Sequence, residues 1–260
     1  MTILPASVCG IARYFDLVRV LVGRDIKLLY KRSVLGVLWT LVNPLLQLLI
    51  FIFLRAVFKF DIPHFTSYVF TGLLVFQWFS KTTSQSTGII IGNRPLIRQP
   101  GFPVAVLPPV VVTTGMIHFA LALPVLMVFL FFDGVPMTLA VAWLPLVMLI
   151  QFFLTATLAY LLAGINVVFR DIQNAWAVFV QALFFLTPIF YSLRQIPEQF
   201  QAFYVMNPMV SIVTAYRSIL IEGHAPDWTS LLMVVAVLLV LFPISVLLFR
   251  HQSRRFVEEI

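Results

Sequence analysis

Charge is scarce in this chain. Only 10% of its 260 residues are Asp, Glu, Lys or Arg, while 61% are hydrophobic. Soluble globular domains run at roughly 45–50% apolar and about 25% charged, and one soluble domain of this length has no interior large enough for so much apolar surface. A disordered chain or a nucleic-acid coat would need the opposite bias. Cysteine is nearly absent: Cys9 stands alone, which excludes an internal disulfide and a Cys-rich metal site. The four histidines, His64, His118, His224 and His251, lack the spacing of metal ligands. His118, inside an apolar run, reads as a packed histidine sooner than as a ligand. No G-x-x-x-x-G-K-[ST] loop occurs, which excludes a Walker-type nucleotide site. No G-x-S-x-G occurs either, so nothing marks a serine nucleophile. The acidic residues all fall in or near loops, so the chain lacks an intramembrane carboxylate relay and an ion-driven transporter is disfavoured. The first twelve residues have no basic start followed by an apolar run, and no cleavable leader is expected.

What is present is long apolar runs. A span needs about 20 mostly apolar residues, and six stretches qualify: 34–58, 65–91, 104–132, 138–168, 175–191 and 228–249. None shows the alternation of a membrane β-barrel. The expectation is an all-α integral membrane protein forming a single transmembrane domain over 1–260, with 16 prolines and 11 glycines tolerated inside the bundle. With the N-terminus inside, twelve Lys and Arg fall on inner segments and four (Arg55, Lys59, Arg194, Arg217) on outer ones. The positive-inside bias then puts both termini in the cytoplasm.

Two segments are neither spans nor ordinary loops. Over 11–32, Ile11, Phe15, Val18, Val22, Ile26 and Leu29 recur at helical spacing among charged residues, as in a helix lying on the inner membrane surface. That pattern suits a plain basic anchor or a helix that also meets a cytoplasmic partner. Residues 193–227 are too apolar for a solvated loop. Pro197 can open a short helix, Asn207-Pro208 reads as a cap followed by a first-turn proline, and Gly223 marks a stop. A helix over 208–221 would be about 21 Å long, short of the ~30 Å hydrocarbon core. Two half-helices re-entering from the outer face fit this pattern, and so does an interfacial pair resting on the surface.

One polar cluster, Ser80–Thr87, interrupts the second run. Trp78, Lys81, Gln85 and Gly88 share one stripe at helical spacing. A charge near the bilayer centre costs roughly 2.5–3.5 kcal/mol on insertion scales and normally faces a bundle interior or a wet cavity. Lys81 therefore either snorkels from a span that ends early or walls a hydrophilic pathway. Aromatics make up 15% of the chain. Most suit packing or lipid contact, although an aromatic-lined channel would suit a glycan.

Four ordered stretches resemble the membrane subunits of type-2 ABC exporters for bacterial polysaccharides (O-antigen, capsule, teichoic acid). They are Arg24-Asp25-Ile26-Lys27 through Trp39 with Asn43-Pro44; Asn93-Arg94-Pro95-Leu96-Ile97 with Phe102-Pro103 and Leu107-Pro108; Phe169-Arg170-Asp171-Ile172 with Thr187-Pro188-Ile189-Phe190-Tyr191; and Ile196-Pro197, Asn207-Pro208, Tyr216-Arg217 and Gly223. The resemblance covers nearly the whole chain. It implies a homodimeric pore in the bacterial inner membrane, two separate ATPase subunits that bind ATP and Mg, and no cofactor or catalytic site in this chain. The cargo it implies is a lipid-linked glycan, with membrane lipids around the pore and no nucleic acid.

The same resemblance implies ATPase coupling through Arg24, Asp25, Asn93, Leu96, Ile97, Phe102, Pro103, Arg170 and Asp171. It implies a channel near Trp78, Lys81, Gln85 and Tyr191, and an outer gate of Pro197, Phe203, Tyr204, Asn207, Pro208, Tyr216 and Arg217. In the 93–104 loop, Leu96, Ile97 and Phe102 are expected to stay exposed for a partner. A drug- or lipid-exporting ABC permease, or a membrane-embedded glycan- or lipid-modifying enzyme, are the alternatives.

Overall fold

A computed structural model describes residues 6–30, 39–58 and 62–253. The described residues are helical or irregular, without strands. In chain order the helices are α1 (Ala6–Tyr30), α2 (Trp39–Phe58), α3 (Phe65–Thr87), the single turns α4 (Ile89–Gly92) and α5 (Arg94–Ile97), α6 (Leu107–Phe132), α7 (Leu144–Val168), α8 (Ile172–Phe185), α9 (Glu198–Val205), α10 (Pro208–Leu220) and α11 (Trp228–Ser253). Short 3-10 turns, Val104–Val106 and Leu139–Trp143, lead into α6 and α7.

Among the described residues, three helical stretches are long and apolar enough to cross a membrane: Val104–Phe132, Leu139–Val168 and Trp228–Ser253. Leu41–Val57 and Ile172–Phe185 are shorter apolar helices. The proposed span start at 34–38 lies outside the described residues, as do Lys31 and Arg32 of the expected interface helix. The fifth run differs from its expected bounds of 175–191: the helix starts at Ile172 and stops at Phe185. Thr187 precedes Pro188, and a residue before proline is pushed out of the α region. The chain from Leu186 to Ser192 is therefore irregular.

Helix α3 is the hub. It packs against α2, α6, α7, α8 and α10, and Val69, Phe70, Leu73 and Val75 are fully enclosed. Its start is fixed from a distance. The Asp133 carboxylate accepts from Ser67 N at 2.9 Å and from Ser67 Oγ at 2.6 Å, satisfying a first-turn N–H as a cap does. His64, just before the helix, takes a left-handed φ of 49° and its Nδ1 lies 2.9 Å from Asp133 O. Deeper in, buried Gln151 of α7 donates to Val75 O at 2.9 Å. Large apolar side chains on α2, α8 and α11 (Phe53, Phe179, Leu239) face outward. Outward apolar side chains on this scale suit lipid or another chain.

Helix α1 lies against α6 and the 3-10 turn before it. Its inward face keeps Val18, Val22 and Ile26 of the expected row and departs from it at Phe15. Leu21 and Val22 are buried, with Tyr14, Leu17, Val18 and Ile26 packed beside them, whereas Phe15 is 67% exposed. Tyr14, Leu17 and Leu21 join that row on the inward face, in the place that Phe15 leaves. Both faces are apolar, so periodicity alone does not choose between them.

Candidate functional site

At the α1 end, the 93–106 segment is folded inward. Ile97 is buried with Ile90, Leu107, Tyr160 and Phe249, and Leu96 packs with α1. Phe102 is wedged between these two clusters. The expectation that the loop keeps Leu96, Ile97 and Phe102 exposed is therefore corrected: their apolar surface is spent on α1, α6, α7 and α11. What the loop does expose is Pro95, Arg98, Gln99, Pro100, Gly101 and Pro103. Gly101 takes the left-handed φ of 78° that its tight turn requires. Asn93 caps this corner by donating to Ile89 O at 2.9 Å.

A tyrosine clasp holds the corner. Tyr14 Oη of α1 and Tyr160 Oη of α7 both donate to Ala105 O, at 2.8 and 2.9 Å, and lie 3.2 Å from each other. Burial pushes the Tyr14 hydroxyl above its ordinary value, so it stays protonated and able to donate. Arg24 and Asp25 pair with each other at 2.8 Å, both partly exposed. Arg170 and Asp171 form the exposed turn between α7 and α8, where Asp171 O accepts from Ala175 N at 3.0 Å.

A cleft of about 690 Å³ opens beside this corner, and its lining includes the polar residues Asp25, Lys81, Ser84, Gln85, Asn93 and Gln173. Five parts of the fold meet there: α1, α3, the α4 turn with Asn93, α6 and the start of α8. Lys81, Ser84 and Gln85 are exposed to it, while Thr82, Thr83 and Ser86 on the other side of α3 are buried. Trp78 parts from the other members of its stripe. It is only 4% exposed, stacked on Phe119 at 5.2 Å between ring centres. Gly115 of α6 makes room for it, because a Cβ there would stand 2.9 Å from Trp78 Cδ1 and run into Thr82 Oγ1.

At the opposite end, Arg217 of α10 is 4% exposed. Its guanidinium donates to Pro188 O (2.6 Å), Ile189 O (2.8 Å) and Tyr68 O (3.2 and 3.3 Å), and lies 3.5 Å from the Tyr68 ring centre. Gly72 admits it: a Cβ there would be 2.7 Å from Nη2. Asn207 accepts from Met209 N at 3.0 Å as the α10 cap, and donates to Thr187 Oγ1 at 3.1 Å. Tyr68 donates to Tyr191 O at 3.1 Å, and the Tyr191 and Tyr204 hydroxyls lie 3.3 Å apart. Tyr216 is fully buried, edge-on to Phe119. Within this chain, then, α10 is sealed into the bundle. The short helix α9 is not: Phe203 is 70% and Phe200 48% exposed. Helix α9 meets the body at α10 and, through Tyr204, at Tyr191.

Residues 16–221 match the family described as ABC-2 type transporter. An O-antigen export system permease protein of Myxococcus xanthus is 37% identical over 251 residues, covering 95% of this chain and 96% of that protein. One of the same description from Klebsiella pneumoniae is 32% identical over 94% of this chain and 95% of its own length. A polysialic acid transport protein of Escherichia coli is 25% identical over 88% of this chain and 91% of its own length. The chain belongs to the ABC-2 type transporter family. It is therefore a membrane subunit of a transporter rather than an enzyme, and a multi-pass protein of the bacterial inner membrane.

The family match begins inside α1 and ends just past α10, so both ends described above fall within it. In this transporter chain, three functional-looking features escaped the sequence reading. The Tyr14–Tyr160 clasp joins residues 146 apart and leaves no local pattern. Gly72 gave no turn signal because it sits mid-helix. Thr187 was visible only as part of a Thr-Pro pair, not as the partner of Asn207.

Proposed function

We propose that this chain is the membrane subunit of an ATP-driven exporter that carries lipid-linked polysaccharide, of the O-antigen kind, out of the cytoplasm across the inner membrane. The observation that carries this reading is the end-to-end likeness to O-antigen export permeases, with nearly all of each chain matched. The polysialic acid transport protein extends the likeness to a second glycan by name alone.

In this reading two copies form the pore, each with six spans built on α2, α3, α6, α7, α8 and α11, and both termini are cytoplasmic. Family membership implies an ABC ATPase, which would hold ATP and Mg and dock from the α1 side. Support comes from exposed Arg19 and Lys27 on α1 and from the exposed tip Arg98–Gly101. Arg24, Asp25, Asn93, Arg170 and Asp171 border that surface, while Leu96, Ile97 and Phe102 hold the tip in place from behind. The channel wall includes Lys81 and Gln85. The outer gate is α9 with α10, anchored by Arg217, Asn207 and Tyr191, with Phe203 directed at the pathway or the second copy.

The test is reconstitution. The chain co-expressed with a partner ABC ATPase should hydrolyse ATP faster with lipid-linked glycan, and should move that glycan into inverted vesicles. The chain purified alone should hydrolyse none. Hydrolysis by the isolated chain, or a complex that neither responds to nor moves glycan, would overturn the reading.

A further inference from the structure

We propose that the Lys81 cleft is a phosphate site, and that its ligand is the phosphate joining the lipid to its glycan. This rests on the export reading above and names the chemical group that the cleft holds.

The donor inventory points to an anion. Lysine and tryptophan side chains can only donate hydrogen bonds. Lys81 and Gln85 line both the 690 Å³ cleft and a smaller cavity of about 50 Å³ between α3 and α6. Trp78 lines the inner cavity, and its Nε1–H, enclosed by protein, has no acceptor. A buried N–H left without an acceptor is unfavourable. Fifty cubic ångströms exceeds the roughly 10–15 Å³ that a water requires, so an oxygen-bearing guest fits. Among the described residues, Lys81 has no carboxylate partner, and the one carboxylate lining the cleft, Asp25, is paired with Arg24. The positive charge is left for something that enters.

The depth fits as well. Lys81 is sixteen residues beyond Phe65, about 24 Å along α3 at 1.5 Å per residue. In the six-span reading above, with Phe65 at the outer edge of a ~30 Å hydrocarbon core, the ammonium stands just inside the inner interface, where the phosphate of a membrane-anchored lipid lies. A lipid tail would remain in the bilayer while its phosphate turned into the cleft and its glycan faced the water-filled mouth.

The experiment measures binding of radiolabelled polyprenyl phosphate, and of the polyprenol lacking the phosphate, to the full transporter complex in phosphatidylcholine nanodiscs. Wild type should prefer the phosphate form by at least about tenfold, the ordinary worth of a charge-assisted hydrogen bond. Lys81→Met should abolish most of that preference and Lys81→Arg should keep it. Trp78→Phe retains the stack on Phe119 but removes the N–H, and should reduce the preference by about threefold. Equal preference in wild type and Lys81→Met would overturn the proposal. So would a Lys81→Met variant that loses polyprenol and polyprenyl phosphate alike. Competition by inorganic phosphate or by phosphatidylglycerol, at the concentration of the probe, would make this a general phosphate or headgroup site and overturn the assignment to the lipid–glycan linkage. Binding is read without transport, so a complex that selects the phosphate but moves no glycan would sink the export reading and leave this one standing.

Discussion

Replacing Arg217 by methionine probes the anchor of α10 most directly. Methionine keeps the length and apolar stem of the side chain but removes every donor. Pro188 O and Ile189 O lie in buried, irregular chain and would lose their close donors at 2.6 and 2.8 Å. Tyr68 O loses less, since α3 already gives it a helical partner. Two buried carbonyls at about 1–3 kcal/mol each set a loss of about 2–6 kcal/mol. The contact with the Tyr68 ring adds up to about 2 kcal/mol in a desolvated setting. Against this stands the penalty, several kcal/mol, of keeping a guanidinium out of water, which methionine relieves.

The net expectation is a destabilisation of about 2–4 kcal/mol. At about 2–4 °C per kcal/mol for a chain of this size, the thermal midpoint in detergent falls by about 4–16 °C. Gly72→Ala supplies the control, because its Cβ pushes on Arg217 Nη2 at 2.7 Å. If the guanidinium geometry is what matters, that substitution costs less in the Arg217→Met background than in wild type, with a coupling of about 0.5–3 kcal/mol. A midpoint for Arg217→Met within about 2 °C of wild type, or an equal cost of Gly72→Ala in both backgrounds, would refute the anchor.

Three further outcomes follow from the same geometry. Phe102→Asp should lower the amount of folded protein, since it forces a carboxylate between two apolar clusters. Arg98→Glu at the exposed tip should leave protein level intact and weaken co-purification with the ATPase; the reverse ranking would return Phe102 to the docking surface. In a Cys9→Ala background, cysteines at Ser84 and Gln85 should react with a membrane-impermeant thiol reagent while one at Thr83 stays protected, because α3 exposes the first two and buries the third. Equal labelling at all three positions would mean that the cleft side of α3 is not distinct. Asp227 caps α11 through Thr229 N (3.0 Å), Ser230 N (3.3 Å) and Ser230 Oγ (2.5 Å), and the Ser230 hydroxyl foremost holds its carboxyl below the ordinary value. A depressed pKa stabilises the folded state above the unfolded value and loses that contribution as pH falls through the folded one. Asp227→Ala should therefore cost about 1 kcal/mol at pH 7, with the gap to wild type closing below pH ~3.8; a gap independent of pH, read from thermal midpoints, would remove the charge from the explanation.

The sequence by itself determined the class of this protein. Scarce charge and long apolar runs demand a membrane helix bundle. Some local chemistry was equally readable: Asn207-Pro208 does start α10, whereas the expected 175–191 run passed over the Thr187-Pro188 pair where the chain leaves the helix. Direction was not readable. Phe15 and Tyr14 are neighbours in one apolar helix, and only the packing of α1 on α6 turns Tyr14 inward to Ala105 O. Arg217 was named as a gate residue by resemblance alone, and only the fold brought it Tyr68 O, from 149 residues away, and the carbonyls of Pro188 and Ile189. The physical reason is the solvent. In water, periodicity separates a buried face from an exposed one, whereas in a bilayer lipid tails are as apolar as leucine, so only the tertiary structure decides which apolar face meets protein and which polar group it encloses.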